Sequence, residues 1–159
     1  MKPAPKLLQF VILTALVLGL VALPWAQEQQ KEQQIHRKGV PAAVLAAFEK
    51  AYPNAAIKGY SKETDNGQLV YEIESVEGAT TRDVTYTAEA ALISVEETLD
   101  TSELPLGVRA ALDKKFPGGK IRKAEKVTKG AVVAYEFKIK HNGKTTEISF
   151  DADGNELKP

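Results

Sequence analysis

Residues 40–95 align with residues 104–159 at a constant offset of 64 and without a gap, and this internal repetition constrains the chain more than any other feature. Pro41 matches Pro105, Val44 matches Val108, Ala46-Ala47 matches Ala110-Ala111, Lys50 matches Lys114 and Pro53 matches Pro117. Further on, Ile57, Lys62, Thr64, Tyr71-Glu72, Thr81 and Ala88 meet Ile121, Lys126, Thr128, Tyr135-Glu136, Thr145 and Ala152, giving 13 identities over 56 positions. Like-for-like pairs such as Tyr52 with Phe116, Ile73 with Phe137 and Tyr86 with Phe150 fill the register. Unrelated segments would not hold prolines and apolar positions in one ungapped alignment, so the chain reads as two copies of one small module.

Each copy opens with a helical pattern. Val40, Val44, Phe48 and Tyr52 recur every fourth residue, as do Leu104, Val108, Leu112 and Phe116, so one stripe of each helix is apolar. Pro41 and Pro105 suit a first helical turn, while Pro53 and Pro117 force the residue before them out of helical geometry, predicting helices of 11 or 12 residues. The period then changes to two. Val133, Tyr135, Phe137 and Ile139 alternate with Ala134, Glu136, Lys138 and Lys140, and Ile148 and Phe150 continue beyond an Asn142-Gly143 hairpin. In the first copy Leu69, Tyr71, Ile73, Val84, Tyr86, Ile93 and Val95 point inward. With initial strands over 56–62 and 120–126, the expected fold class is α+β: two tandem modules, each one helix packed on its own four-stranded antiparallel meander sheet. Residues 40–95 form the first module, 96–103 an acidic connector and 104–159 the second.

The amino terminus is of another kind. Lys2 and Lys6 precede an apolar run over residues 7–23, which reads as a secretory signal within residues 1–26 or, if uncleaved, as a membrane anchor. Seventeen residues at about 1.5 Å each span roughly 25 Å, the short limit for a membrane helix. Both readings put the remainder outside the cytoplasm, periplasmic or secreted. Residues 27–39, QEQQKEQQIHRKG, are polar and rich in Gln and read as a spacer.

The run VPAAVLAAF closed by Tyr52-Pro53, then Tyr71-Glu72-Ile73-Glu74, and in the second copy Leu104-Pro105, Phe116-Pro117-Gly118, Tyr135-Glu136-Phe137 and Phe150-Asp151-Ala152-Asp153-Gly154-Asn155-Glu156-Leu157, resemble the PepSY-like, beta-lactamase-inhibitor-like family. The resemblance covers residues 40–159. It implies an exported protein whose helix-plus-sheet modules look like those of beta-lactamase inhibitor protein, in a family associated with restraining peptidases. No disulfide and no lactamase-contacting residue of that inhibitor has a counterpart here.

Chemistry-bearing constellations are sparse. The absence of Cys excludes disulfides, thiolate metal sites and a Cys nucleophile. His36 and His141 lie far apart without carboxylates at ligand spacing, and no Ser sits in a nucleophile elbow, so neither a catalytic nor a metal or cofactor site is expected. Asp151-Ala-Asp153-Gly-Asn155-Glu156 begins like a calcium loop but lacks the later ligands, and reads as a turn. A formal net charge of zero argues against nucleic acid as partner. That total conceals an asymmetry: residues 40–95 carry net −4, 96–103 four acids and no base, and 104–159 net +5. Glu72, Glu74, Asp83, Lys138 and Lys140 occupy outward strand positions and are the candidate partner-binding face. The expected function is an exported, non-enzymatic module binding an envelope or extracellular protein, a peptidase or another envelope enzyme among the candidates. The alternative is a periplasmic small-ligand or envelope-stress sensor.

Overall fold

The computed structural model describes residues 32–158. The expected signal or anchor over 1–26 and the first part of the spacer lie outside the described residues. No helix among the described residues is long and apolar enough to cross a membrane.

In chain order the elements are β1 (Gln33–Gln34), α1 (Ala42–Ala51), β2 (Ala56–Asp65), β3 (Gln68–Glu77), β4 (Thr80–Thr87), β5 (Leu92–Thr98), α2 (Leu106–Lys115), β6 (Lys120–Lys129), β7 (Val132–His141), β8 (Lys144–Phe150) and β9 (Glu156–Leu157), with single 3-10 turns at Arg37–Gly39 and Thr101–Glu103. Each α-helix is 10 residues long. Pro41 and Pro105 stand at the helix N-caps with φ near −55°, and the helices end where Tyr52 and Phe116, each ahead of a proline, leave helical geometry at ψ 64° and 60°. Tight turns built on Asn66-Gly67 and Asn142-Gly143 have positive φ at both residues, the requirement that Asn-Gly meets most cheaply in a two-residue hairpin.

The expectation of two modules with separate sheets is overturned. Among the described residues the strands form a single nine-stranded antiparallel sheet in simple sequence order. The join is β5 against β6, where Val95, Glu96, Glu97 and Thr98 pair with Thr128, Val127, Lys126 and Glu125. Residues 96–98, expected to open a connector, are therefore strand. Two separate meanders would each have left an edge of unpaired N–H and C=O groups at this place, and pairing them satisfies both rows at once. The last residues of the expected spacer are also engaged. Gln33 and Gln34 pair with Lys62 and Ser61, Ile35 N–H donates to the Tyr60 carbonyl at 2.9 Å, and Arg37 donates to Glu49 at 2.8 Å.

Residues directly across an antiparallel pair share a face. The row Val84–Val95–Thr128–Val133 therefore runs across four strands on one side of the sheet. Val84 belongs to the core under α1, with Val44, Phe48, Tyr71, Ile73 and Tyr86; Phe137 and Ile139, on the same side as Val133, belong to the core under α2, with Val108, Leu112, Ala124, Ile148 and Phe150. Both helices thus cover the same face. Phe48, Val44 and Val108 are at most 1% exposed, and each such burial contributes about 1.5–3 kcal/mol. Leu69, expected inward, is exposed.

Near the join, the Arg82 guanidinium sits 4.3 Å over the Tyr52 ring and donates to Glu97 at 2.8 Å and to Glu77 at 3.3 Å. The side chain is 10% exposed. Cross-strand pairing of β4 with β5 brings Arg82 and Glu97 opposite one another, so the charge is neutralised where it is buried.

Candidate functional site

The face opposite the helices carries no covering element among the described residues, and strand register decides what lines it. Glu74 on β3 is directly opposite Asp83 on β4, and Asp83 is directly opposite Glu96 on β5. Glu125 and Glu136 likewise oppose each other on β6 and β7. Glu72 stands between Ser61 on β2 and Thr85 on β4. Like charges directly opposed across strands cost stability, so a row of three acids on adjacent strands is a feature the fold itself does not need.

The electrostatics follow from the crowding. Burial raises the Glu72 carboxyl to about 7, with Asp83, Glu32, Glu96 and Glu63 adding to the shift. Asp83 and Glu96 are also raised, first by burial and then by neighbouring carboxylates, Glu74 acting on Asp83 and Glu125 on Glu96. Lys123, which acts against the shift of Asp83 and Glu96, is already paired with Glu125 at 2.7 Å. Among the described residues Glu72, Glu74, Asp83, Glu96 and Glu136 have no ion pair. Two polar atoms on this face are buried and without a hydrogen-bond partner, Asp83 Oδ1 and Ser61 Oγ. Gly59, opposite Glu74 at a bulge in β2, leaves room for the acid: a Cβ there would lie 3.0 Å from Glu74 Oε2. Towards the second half the face deepens into a hollow of about 680 Å³ lined by Glu96, Lys123, Glu125, Glu136, Lys138 and Glu147 among others.

Of the residues singled out by alternation, Glu72, Glu74 and Asp83 lie together on β3 and β4, while Lys138 and Lys140 lie on the same face three strands away on β7. Lys138 pairs with Glu147 at 2.8 Å, and Lys140 stands opposite Thr145. Glu96 and Ser61 were not singled out. Glu96 falls in the run read as a connector, and the burial of Ser61 depends on the β1–β2 pairing, which no periodicity announces.

Other polar features have local roles. The Asp151 carboxylate accepts from Asp153 N–H, Asn155 N–H and Asn155 Nδ2, which holds a tight turn and keeps Asp151 below the usual carboxylate range, the Asn155 side chain contributing most. His141 Nε2 lies 3.2 Å from the Pro117 carbonyl, with its ring edge-on to Phe116. No cluster of three or more His, Asp or Glu residues among the described residues is arranged to hold a metal ion.

The described residues thus form one sheet with both helices on one side and a charged opposite side. A family described as "Putative beta-lactamase-inhibitor-like, PepSY-like" matches residues 71–158, more than half of the sequence, and the chain belongs to that family. A second family, described as "Peptidase propeptide and YPEB domain", matches residues 41–91. Among solved structures, a "putative periplasmic" protein of Bacteroides eggerthii is similar at a TM-score of 0.66 and 21% identity, covering 75% of this chain and 86% of that one. A DUF2874 family protein of Bacteroides uniformis is similar at 0.64 and 19%, covering 75% and 87%. A BLIP-like protein of Bacteroides fragilis is similar at 0.61 and 21%, covering 75% and 84%. At these identities the likeness is one of fold. No curated protein matches the sequence.

Proposed function

We propose that this chain is an exported, non-enzymatic module of the bacterial envelope that binds another envelope or extracellular protein on its bare sheet face, restraining a peptidase or another envelope enzyme. The observation that carries the reading is the one-sided build: both helices cover one face, and the other presents opposed carboxylates that raise the energy of the free protein. Within that reading, residues 1–26 are the export signal or anchor, the two halves descend from one duplicated unit, and Glu72, Glu74, Asp83, Lys138 and Lys140 belong to the contact surface. The inhibitor-like family and the periplasmic description of a structural neighbour support export and binding in that compartment.

The test is site-directed photocrosslinking in the native host. A crosslinking residue at Glu74 or Lys140 on the bare face is compared with one at Glu49 or Asp113 on the helices. Adducts to one protein from the bare face alone are the expected result. Adducts confined to the helix positions would overturn the assignment of the surface, and the absence of protein adducts from all four would favour the small-ligand sensor.

A further inference from the structure

We propose that the row Glu74–Asp83–Glu96, with Glu72 and Ser61 beside it, receives a basic segment of the protein partner, whose arginine or lysine side chains donate to these carboxylates. This rests on the bare-face reading above and adds the chemistry of the partner.

Three observations converge on a cationic donor. The acids are directly opposed on adjacent strands and have no ion pair among the described residues, so a cation placed over the row relieves mutual repulsion as well as gaining attraction. Ser61 is 2% exposed, lies across from Glu72, and its Oγ has no partner; Asp83 Oδ1 is likewise buried and unpartnered. An unsatisfied buried acceptor is costly, so Asp83 Oδ1 calls for a donor of the kind that guanidinium and ammonium groups supply several at a time, while the Ser61 hydroxyl can donate or accept. Gly59 leaves open the space over which the Glu74 carboxylate lies. Of the cations of the second half, Lys123 and Lys138 are paired with Glu125 and Glu147 rather than with this row.

Burial supports a pH dependence in the same direction. Glu72 is half-titrated near pH 7, and the groups that face it are Glu63, Asp83, Glu96 and Glu32, all acids. Lys123, on β6, acts against the upward shift of both Asp83 and Glu96. Raising the pH through 7 therefore adds negative charge to the row and strengthens cation binding.

The test uses a short oligo-arginine peptide as probe, with backbone amide shifts of the labelled protein as readout. Expected are shifts concentrated on β3, β4 and β5, an affinity that rises through pH 7, and about a tenfold loss of affinity in Glu74→Gln/Asp83→Asn. The variant removes repulsion and keeps the fold. The charge-matched control Glu89→Gln/Asp113→Asn, at exposed positions off the face, should bind as the unsubstituted protein does. Equal weakening in both variants, or shifts scattered over the molecule, would overturn the proposal in favour of diffuse electrostatics. Calcium producing the same shifts and displacing the peptide would overturn it in favour of a cation site. If oligo-arginine fails while photocrosslinks still map to the bare face, the basic partner is wrong and the binding module stands; if both fail, the reading beneath it falls as well.

Discussion

Gly107 in the first turn of α2 and Gly154 in the turn between β8 and β9 meet backbone to backbone. A Cβ on Gly107 would run into the Asp153 carbonyl, and one on Gly154 would run into the carbonyl of Gly107. Gly154 also adopts φ 86°. This approach ties the last turn of the chain to the helix, and the Lys115–Glu156 ion pair reinforces it.

Either Gly107→Ala or Gly154→Ala should therefore destabilise the fold by about 2 kcal/mol or more, since backbone on both sides leaves nothing flexible to give way. Urea unfolding followed by circular dichroism measures it. A loss within experimental scatter of zero would mean the turn moves aside freely.

Ala90 occupies the place of Gly154 in the first half, 64 residues earlier, with φ 66°. A left-handed alanine costs roughly 1–2 kcal/mol that glycine does not incur, offset by about 0.5–1 kcal/mol of extra chain entropy in the unfolded state. Ala90→Gly should consequently be stabilising by a few tenths of a kcal/mol up to about 1 kcal/mol. A lowered urea midpoint would contradict this.

Because β5 and β6 knit the two halves into one sheet, Phe48→Ala under α1 and Leu112→Ala under α2 should each shift a single shared unfolding transition, by about 3 kcal/mol. Hydrogen exchange of β3 and β7 amides would then follow the same global opening. Two separable transitions, each sensitive to one substitution, would show the halves to be independent.

Arg82→Ala should cost about 2 kcal/mol, because it strips Glu97 of its 2.8 Å partner and uncovers Tyr52 in a part-buried setting. Arg82→Ala/Glu97→Gln should cost less than the two single changes added together. Additive losses in the double-mutant cycle would deny the coupling.

Stability should fall as the pH rises from 4.5 through 7. Glu72 holds its proton in the folded protein up to about 7, whereas the unfolded chain releases it near 4.5, so over this window the native state binds more protons and loses ground with rising pH. Asp83 and Glu96, raised in the same direction, add to the slope at its acid end. Glu72→Gln should flatten the profile and raise Tm above pH 7. Thermal melts over a pH series decide it; parallel profiles for the two proteins would remove Glu72 as the source.

Much of the local structure was legible because it is written in nearest-neighbour chemistry. Pro53 and Pro117 stop the helices, and Tyr71, Ile73, Phe137 and Ile139 declare their strands by alternation. The joining of the halves was not legible. Alternation says which face a side chain takes, never which strand lies alongside, and Glu96–Thr98 offered acids where a buried seam is usually sought. The candidate surface divides the same way. Glu72, Glu74 and Asp83 sit in plain alternating runs, whereas the place of Glu96 follows from β5 continuing into the seam, and that of Ser61 from two residues of a Gln-rich segment finding its edge.

The sheet also ends in an informative manner. Among the described residues the outermost strands, β1 and β9, are two residues each, and the stretches of β2 and β8 beyond their pairing carry Lys58, Glu63, Lys144 and Glu147. A neighbouring molecule approaching either border meets charge and too short a template to propagate a ladder. More than half of the described residues are extended, yet the described sheet offers little edge for another strand to add to.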